Sequence, residues 1–276
     1  MTLRELLQET QRRLLPVSGE DAAAEARELV SFAIGRRVGF RDGEAVLTEE
    51  QRSRLEAAVA RRLSHEPLQY VIGEWDLMGF TFSVSPEVLI PRQDTETLVI
   101  EAERLIAERG YKTLLDICTG SGCVGISLAK RTGVRTAISD ISAAALEVAA
   151  KNALALGADC EIVRSDLFGA FTGRRFDIIT ANPPYIPTET VKTLSEEVRM
   201  EPVLALDGGA DGLDIYRRIA RELPAHLAPG GAFAAEIGCD QGERVTELFS
   251  PLGSVRLTKD YGGRDRVVTV ILDKKC

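Results

Sequence analysis

Two adjacent prolines, Pro183 and Pro184, end the mainly apolar run Phe176-Asp177-Ile178-Ile179-Thr180-Ala181. Neither proline has an N–H to give a neighbouring strand, and each fixes its own φ near about −65°, so the strand stops there. The carbonyls of Asn182 and Pro183 are then left without sheet partners, and the Asn182 amide is held at the strand's C-terminal edge. Ligands of open α/β sheets bind at that edge. Acceptors aimed at N–H groups, beside a flat wall such as Tyr185, suit a planar amine or amide. A plain turn with a buried tyrosine is the simpler alternative, and a second motif upstream argues against it.

From Lys112 onward short apolar runs alternate with helical patterns. Leu114–Ile117, Thr136–Asp140, Glu161–Val163, Phe176–Ala181, Ala232–Ile237, Ser254–Leu257 and Arg266–Ile271 read as strands. Helices fit Val124–Lys130, Ser142–Leu156, the stretch after Asp214, and the segment around Val245. Strands alternating with helices imply an α/β fold with a doubly wound, mainly parallel sheet. Pro229-Gly230-Gly231 reads as a turn before its strand, and residues 186–212 as a long segment rich in charge, proline and glycine.

The first 65 residues carry helix-period stripes only. Leu3, Leu6, Leu7, Leu14 and Leu15 form one, and Ala22, Ala26, Leu29, Val30 and Ala33 a second that ends near Gly35. Thr48-Glu49-Glu50-Gln51 has the form of a capping box opening a third helix. Residues 1–65 are therefore expected to form a small all-α domain used for packing or docking. Gln69–Gly73 and Phe80–Val84 are β-prone and predict a hairpin over 66–86 that joins this domain to a second one, 87–276. Arg92 precedes Asp94-Thr95-Glu96, which opens a helix to about Arg109 and has either a dipole role or a role toward a ligand.

A net charge of −8 argues against life on bulk nucleic acid, where affinity comes from neutralising phosphates. Five cysteines (Cys118, Cys123, Cys160, Cys239 and Cys276) lack C-x-x-C spacing, and only His65 and His226 are present. That pattern fits reduced, buried thiols, no metal site and a cytoplasmic protein. No apolar run reaches membrane-spanning length, and the mixed charges of Met1-Thr2-Leu3-Arg4-Glu5 do not resemble a signal peptide. A monomer is expected.

A strand ending at Asp116, the loop Cys118-Thr119-Gly120-Ser121-Gly122 and a following helix outline a nucleotide-type pocket. Glycine lets backbone approach a ligand closely. Asp140 ends the next strand about 20 residues on, where a carboxylate accepts ribose hydroxyls. The dinucleotide fingerprint needs glycine at 118, 120 and 123, but 118 and 123 are cysteines. No phosphate-binding G-x-x-x-x-G-K-[ST] run occurs. A ribose- and adenine-bearing cofactor without pyrophosphate fits, namely S-adenosylmethionine. Asp166 then lies near the adenine amino group, and Leu167 or Phe168 covers the ring or simply fills the core.

These residues resemble the amide and amino N-methyltransferases with a (D/N)-P-P-(Y/F/W) site. Leu68–Gly73, Val88–Arg92, Thr119–Cys123, Asn182–Ile186, Glu201-Pro202, Ala205–Gly209, Glu236–Gly238 and the stretch from Asp260 to Val268 resemble, more narrowly, the peptide chain release factor glutamine methyltransferases. That family usually has glycine where Cys118 stands, Pro-Glu where Gln93-Asp94 stands, and a large aromatic at Leu167. The resemblance implies a seven-stranded Rossmann-like methyltransferase sheet. It also implies methyl transfer from S-adenosylmethionine to the glutamine amide of the Gly-Gly-Gln loop in class I release factors. By position, Cys118, Thr119, Gly120, Ser121, Gly122, Asp140, Asp166, Leu167 and Asn182 would bind cofactor. Asn182, Pro183, Pro184 and Tyr185 would bind the glutamine, with Asn182, Pro183 and Tyr185 taking part in catalysis. The alternative reading is an adenine or cytosine amino N-methyltransferase acting on nucleic acid, which must extract a base and hold a polyanion.

Overall fold

The computed structural model describes residues 1–39 and 42–272. The chain forms two compact units, one of Met1–Glu74 with Ser195–Met200 and the other of Trp75–Leu194 with the remainder from Glu201. Cys276 lies outside the described residues.

The first unit holds α1 (Leu3–Ser18), α2 (Ala22–Ile34), α3 (Glu49–Leu63) and the single turn α4 (Leu68–Ile72). Thr2 with Glu5 and Thr48 with Gln51 form capping boxes that satisfy the first amides of α1 and α3. Leu3, Leu6 and Leu14 are buried as their spacing requires, whereas Leu15 is exposed. Arg62 of α3 is only 1% exposed. Its guanidinium donates to both carboxylate oxygens of Glu25, at 2.8 and 3.1 Å, and to Glu197 Oε1 at 2.6 Å.

Gln69–Gly73 is helical, which corrects the strand expected there. Pro67 opens α4, and the Gly73 amide closes it on Gln69 O at 2.7 Å from a left-handed φ of 86°. These caps, with burial of Leu68, Tyr70 and Val71, outweigh the β propensity of Tyr, Val and Ile. The hairpin comes next, as β1 (Glu74–Leu77) and β2 (Phe80–Ser83). Met78 and Gly79 link them with φ of 53° and 81°, the paired positive values of a type I′ turn. The boundary between the two units falls inside 66–86.

The second unit continues with α5 (Glu96–Arg109), β3 (Thr113–Ile117), α6 (Cys123–Thr132), β4 (Arg135–Asp140), α7 (Ala143–Leu156), β5 (Cys160–Arg164) and β6 (Phe176–Ala181). The long segment after β6 contains two one-turn helices, α8 (Thr188–Val191) and α9 (Val203–Leu206). It is followed by α10 (Asp214–His226), β7 (Leu227–Glu236), α11 (Gly242–Phe249), β8 (Gly253–Lys259) and β9 (Asp265–Leu272). Contrary to expectation, Pro229-Gly230-Gly231 lies within β7. The strand absorbs it through a positive φ at Gly230 and a register shift opposite Phe176 and Ile178.

The seven-stranded sheet has the order β5-β4-β3-β6-β7-β9-β8, parallel except for β9, which is antiparallel to both its neighbours. Successive strand residues alternate between two cores. Leu115, Ile179 and Phe233 face a core shared with α10 and α11, while Leu114, Ile178 and Ala234 face one shared with α5, α6 and α7. Both faces are covered, as a doubly wound sheet requires. Chain order reverses between β3 and β6, which pair in register from Leu114 with Ile178 to Ile117 with Ala181. The crevice beyond those two strand ends is where such folds bind ligands.

Candidate active site

Both sequence motifs open on that crevice. Its wall includes Thr119, Gly120, Ser121, Asp140 and Asn182. The β3–α6 loop needs left-handed backbone at three points, Cys118 (φ 56°), Gly120 (53°) and Gly122 (81°). A Cβ built on Gly120 would meet no protein atom within 4 Å, so backbone there is open to a ligand. A Cβ on Gly122 would come within 2.6 Å of Ile126 Cδ1, so that glycine serves packing.

Asp116, at the end of β3, lies beneath the loop and is 1% exposed. It accepts from Thr119 Oγ1 (2.5 Å), Thr180 Oγ1 (2.7 Å) and Gly125 N (3.1 Å). Burial pushes its carboxyl up to about 6 despite these bonds, which favour the anion. Asp140 accepts from Gly120 N and Ser142 N, each at 2.9 Å, so one carboxylate ties the loop to the start of α7. Burial also raises the Asp140 carboxyl. Asp166 lines the cavity and pairs with Arg218 at 2.8 Å. Leu167 is buried at a positive φ of 46°, its carbonyl held by Ser165 Oγ at 2.7 Å.

Asn182 directly follows β6. Its Oδ1 is buried and has no hydrogen-bond partner. Ser121 Oγ is a second such orphan, on the same cavity. Buried polar atoms rarely go unpaired, so two unpaired oxygens on residues that line one cavity point to a place for a polar ligand. Pro184 joins Asn182 in the wall, but Pro183 and Tyr185 do not line the cavity. Tyr185 packs against the core beneath α10 and α11 and donates through its hydroxyl to Glu236 Oε1 at 3.4 Å. Burial raises the Tyr185 phenol, which stays protonated.

A further part of the wall comes from Val88, Leu89 and Pro91 and from Pro202, Leu204 and Ala205. Glu201, 3% exposed, ties them together by accepting from Ile90 N at 3.0 Å and pairing with Arg92. Arg92 is therefore a staple behind this wall and not part of its lining. Glycines let the segment after β6 fold back onto Asn182–Tyr185. A Cβ on Gly208 would lie 2.7 Å from Pro184 O, and one on Gly212 would lie 2.3 Å from Tyr185 O.

Residues 95–200 match the family model described as methyltransferase small domain, and residues 5–73 match the PrmC N-terminal domain. A release factor glutamine methyltransferase of Moorella thermoacetica is 43% identical, over 96% of this chain and 97% of its own length. One of Geobacter sulfurreducens is 40% identical, over 97% and 95%. The chain belongs to the release factor glutamine methyltransferase family. The sheet also aligns with the Thermus thermophilus 16S rRNA N2 G1207 methyltransferase at TM-score 0.54 and 22% identity, over 72% of this chain and 49% of that one. That likeness concerns the fold.

This family member has a cavity that suits S-adenosylmethionine on its own evidence. Asp140 offers a carboxylate beside exposed loop backbone, Asp166 offers acceptors further along the wall, and Ser121 and Asn182 carry the two unpaired oxygens. Among the described residues no cluster of His, Cys, Asp and Glu could hold a metal, and no helix is long and apolar enough to cross a membrane. Cys118, Cys123, Cys160 and Cys239 are free thiols, and Cys239 is exposed, unlike the buried thiols expected.

The site contains residues to which the sequence assigns no individual partner, although the segment holding Thr95 is a ligand candidate and Glu236 lies in a stretch that carries the resemblance. Thr95 and Glu236 stand beside Asn182, Gln241 holds Tyr185, and Arg218 partners Asp166. Period-two alternation carries a signal for one of them. Ala181 pairs with Ala235, so Asn182 and Glu236 follow paired residues on adjacent strands and share the face covered by α5.

Proposed function

We infer that this chain methylates the side-chain amide nitrogen of the glutamine in the Gly-Gly-Gln loop of class I release factors, with S-adenosylmethionine as donor. The observation that carries this reading is the buried, partnerless Oδ1 of Asn182 at the switch point of a methyltransferase sheet.

An amide nitrogen is a poor nucleophile because its lone pair is delocalised into the carbonyl. The bound cofactor supplies a sulfonium-activated methyl group, so the protein's task is positioning. Holding reacting atoms at about 3–3.5 Å and in line can lower a barrier by roughly 7–11 kcal/mol. Asn182 Oδ1 and the Pro183 carbonyl each accept one N–H of the substrate amide. These bonds favour pyramidal nitrogen, and they strengthen as positive charge grows on it, so they act mainly in the transition state. Pro184 borders the amide, and Tyr185, set behind the cavity wall against Glu236, supports the loop that carries it. Gly120, Ser121, Asp140, Asp166 and Leu167 hold the cofactor.

In this reading the all-α unit is the docking arm for the release factor, and the enzyme acts as a cytoplasmic monomer, where release factors meet the ribosome. The net charge of −8 supports a protein substrate over bulk nucleic acid. The test incubates the enzyme with labelled cofactor and a purified release factor, or with DNA or RNA, and maps the label by mass spectrometry. A methyl on the Gly-Gly-Gln glutamine bears the reading out, and label on nucleic acid alone overturns it. Undiminished methylation of the intact factor after deletion of residues 1–65 would remove the docking role.

A further inference from the structure

We propose that Thr95 and Glu236 are positioning residues that set which end of the Asn182 amide faces the substrate. The inference rests on the reading above.

Three distances define the chain of contacts. Thr95 Oγ1 donates to Glu236 Oε2 at 2.7 Å. Asn182 Nδ2 lies 3.5 Å from Thr95 Oγ1. Tyr185 donates to the other Glu236 oxygen at 3.4 Å. Thr95 and Glu236 are each 1% exposed, so water does not substitute for either partner.

A threonine hydroxyl has one hydrogen. Glu236 takes it, so Thr95 Oγ1 can only accept from Asn182. It therefore faces the NH₂ end of the amide and leaves Oδ1 pointing away, without a partner. Without Glu236 as acceptor, the hydroxyl would be free to turn and donate to Asn182. The amide would then flip and satisfy its own oxygen, because an unpaired buried acceptor is unfavourable. A flipped Asn182 offers N–H groups to a substrate that also offers N–H groups. Glu236 thus holds the receptive orientation indirectly, through Thr95. The contact, at 3.5 Å, is long for a hydrogen bond, so the orientation rests on the Thr95–Glu236 bond of 2.7 Å more than on the strength of this one.

The arrangement follows from topology. Glu236 ends β7 next to β6, and Thr95 stands where α5 begins, over the face that carries both Asn182 and Glu236. The helix start and the two strand ends converge from positions 87 and 141 residues apart in sequence.

The test compares Thr95→Val, which keeps the shape and removes the hydroxyl, with Thr95→Ser, which keeps the hydroxyl. Thr95→Ala removes the hydroxyl without placing a second methyl in the buried site. Wild-type enzyme assayed for glutamine methylation is the control. If it fails, the functional reading falls, and the NMR comparison below still decides the positioning role. Thr95→Val and Thr95→Ala are expected to lower kcat about ten- to a hundredfold while the cofactor Kd stays within about twofold, and Thr95→Ser is expected to stay within a few-fold of wild type. The side-chain amide resonances of Asn182 in the ligand-free protein, assigned by their absence in Asn182→Ala, should shift and exchange faster in Thr95→Val but not in Thr95→Ser. Wild-type kcat in Thr95→Val, equal impairment in Thr95→Ser, or unchanged Asn182 resonances in Thr95→Val would each overturn the proposal.

Discussion

The side-chain amide of Gln241 donates to the carbonyl oxygen of Tyr185 at 2.9 Å, across 56 residues of sequence. The same NH₂ group reaches Gly212 O at 3.2 Å, and Gln241 Oε1 accepts from Gly238 N at 2.9 Å. One 4%-exposed side chain thus ties together three loop segments around the end of the Asn182–Tyr185 loop. The Asn182–Tyr185 loop is thus held by its own backbone, through Tyr185 O, and not through the Asn182 side chain.

Gln241→Ala would leave two carbonyls and one amide without partners inside the protein. Each unsatisfied buried group costs about 1–3 kcal/mol, so a loss of about 2–4 kcal/mol is expected after partial relaxation. Urea denaturation measures it. Gln241→Glu should be at least as damaging, because it sets an acceptor against two acceptors. A midpoint within error of wild type in both variants would show that the loop does not depend on this bridge.

Asn182→Ala should behave in the opposite way. Its Oδ1 makes no hydrogen bond to the protein and its Nδ2 reaches only Thr95 Oγ1, at 3.5 Å, so removing the side chain breaks no strong bond and stability should hold. Turnover should fall about 10²–10³-fold, the range for losing one preorganised transition-state contact. Denaturation and methyl incorporation read on the same preparation check both halves. Near-normal turnover would dismiss Asn182 as the acceptor.

Asp140→Asn retains an acceptor for one of its two backbone partners and loses the charge. Hydrogen bonds to a charged group contribute about 1.5–3 kcal/mol, so cofactor Kd should rise about ten- to a hundredfold. Calorimetric titration with S-adenosylmethionine decides it, and an unchanged Kd would take Asp140 away from the cofactor.

Much of this site is legible in the sequence, and the remainder is hidden for identifiable reasons. Phe176–Ala181 can be read to the residue because its apolar run and its proline stop agree, and the strand has those bounds. Gln69–Gly73 misleads because a five-residue window rich in Tyr, Val and Ile says nothing of the caps that make it a helical turn. Asn182, Gly120 and Asp140 announce themselves by their position at strand ends and in a loop. Thr95 and Glu236 do not, since their meaning arises only when strand order places β7 beside β6 and sets α5 across both. The departure from glycine at Cys118 takes on a physical meaning as well. Cys118 occupies a left-handed position, at φ 56°, where glycine is the unstrained residue.

The buried carboxyl of Asp116 predicts a pH signature. Burial raises it from 3.8 in the unfolded chain to about 6 in the folded protein. The folded state therefore favours the protonated form, and that contribution is complete below about pH 4 and lost as pH rises through about 6. Asp116→Asn cannot ionise. Its stability relative to wild type should rise between pH 4 and 6 by up to about 3 kcal/mol and then level off. Titration of other groups is common to both proteins and cancels in the difference. Urea midpoints at intervals from pH 4 to 8 test this, and a difference independent of pH would place the Asp116 titration elsewhere.

Arg62 predicts a local failure. It is 1% exposed and forked between Glu25 and Glu197, and Glu197 lies in the short stretch Ser195–Met200 that packs with the helical unit. Arg62→Ala would leave Glu25 largely buried with Ser18 Oγ but no cation, and breaking a buried pair costs about 3–5 kcal/mol. Lysine cannot reproduce the fork, because one ammonium does not meet both oxygens of Glu25 and the carboxylate of Glu197 in a fixed plane. Arg62→Lys should therefore recover only part of the loss. With Glu197 released, Ser195–Met200 should open to protease well before the rest of the chain does. Limited proteolysis of the full-length protein, with cleavage sites mapped by mass spectrometry, is the measurement. Cutting at 195–200 no faster in Arg62→Ala than in wild type would show that this stretch is held by something other than the Arg62 fork.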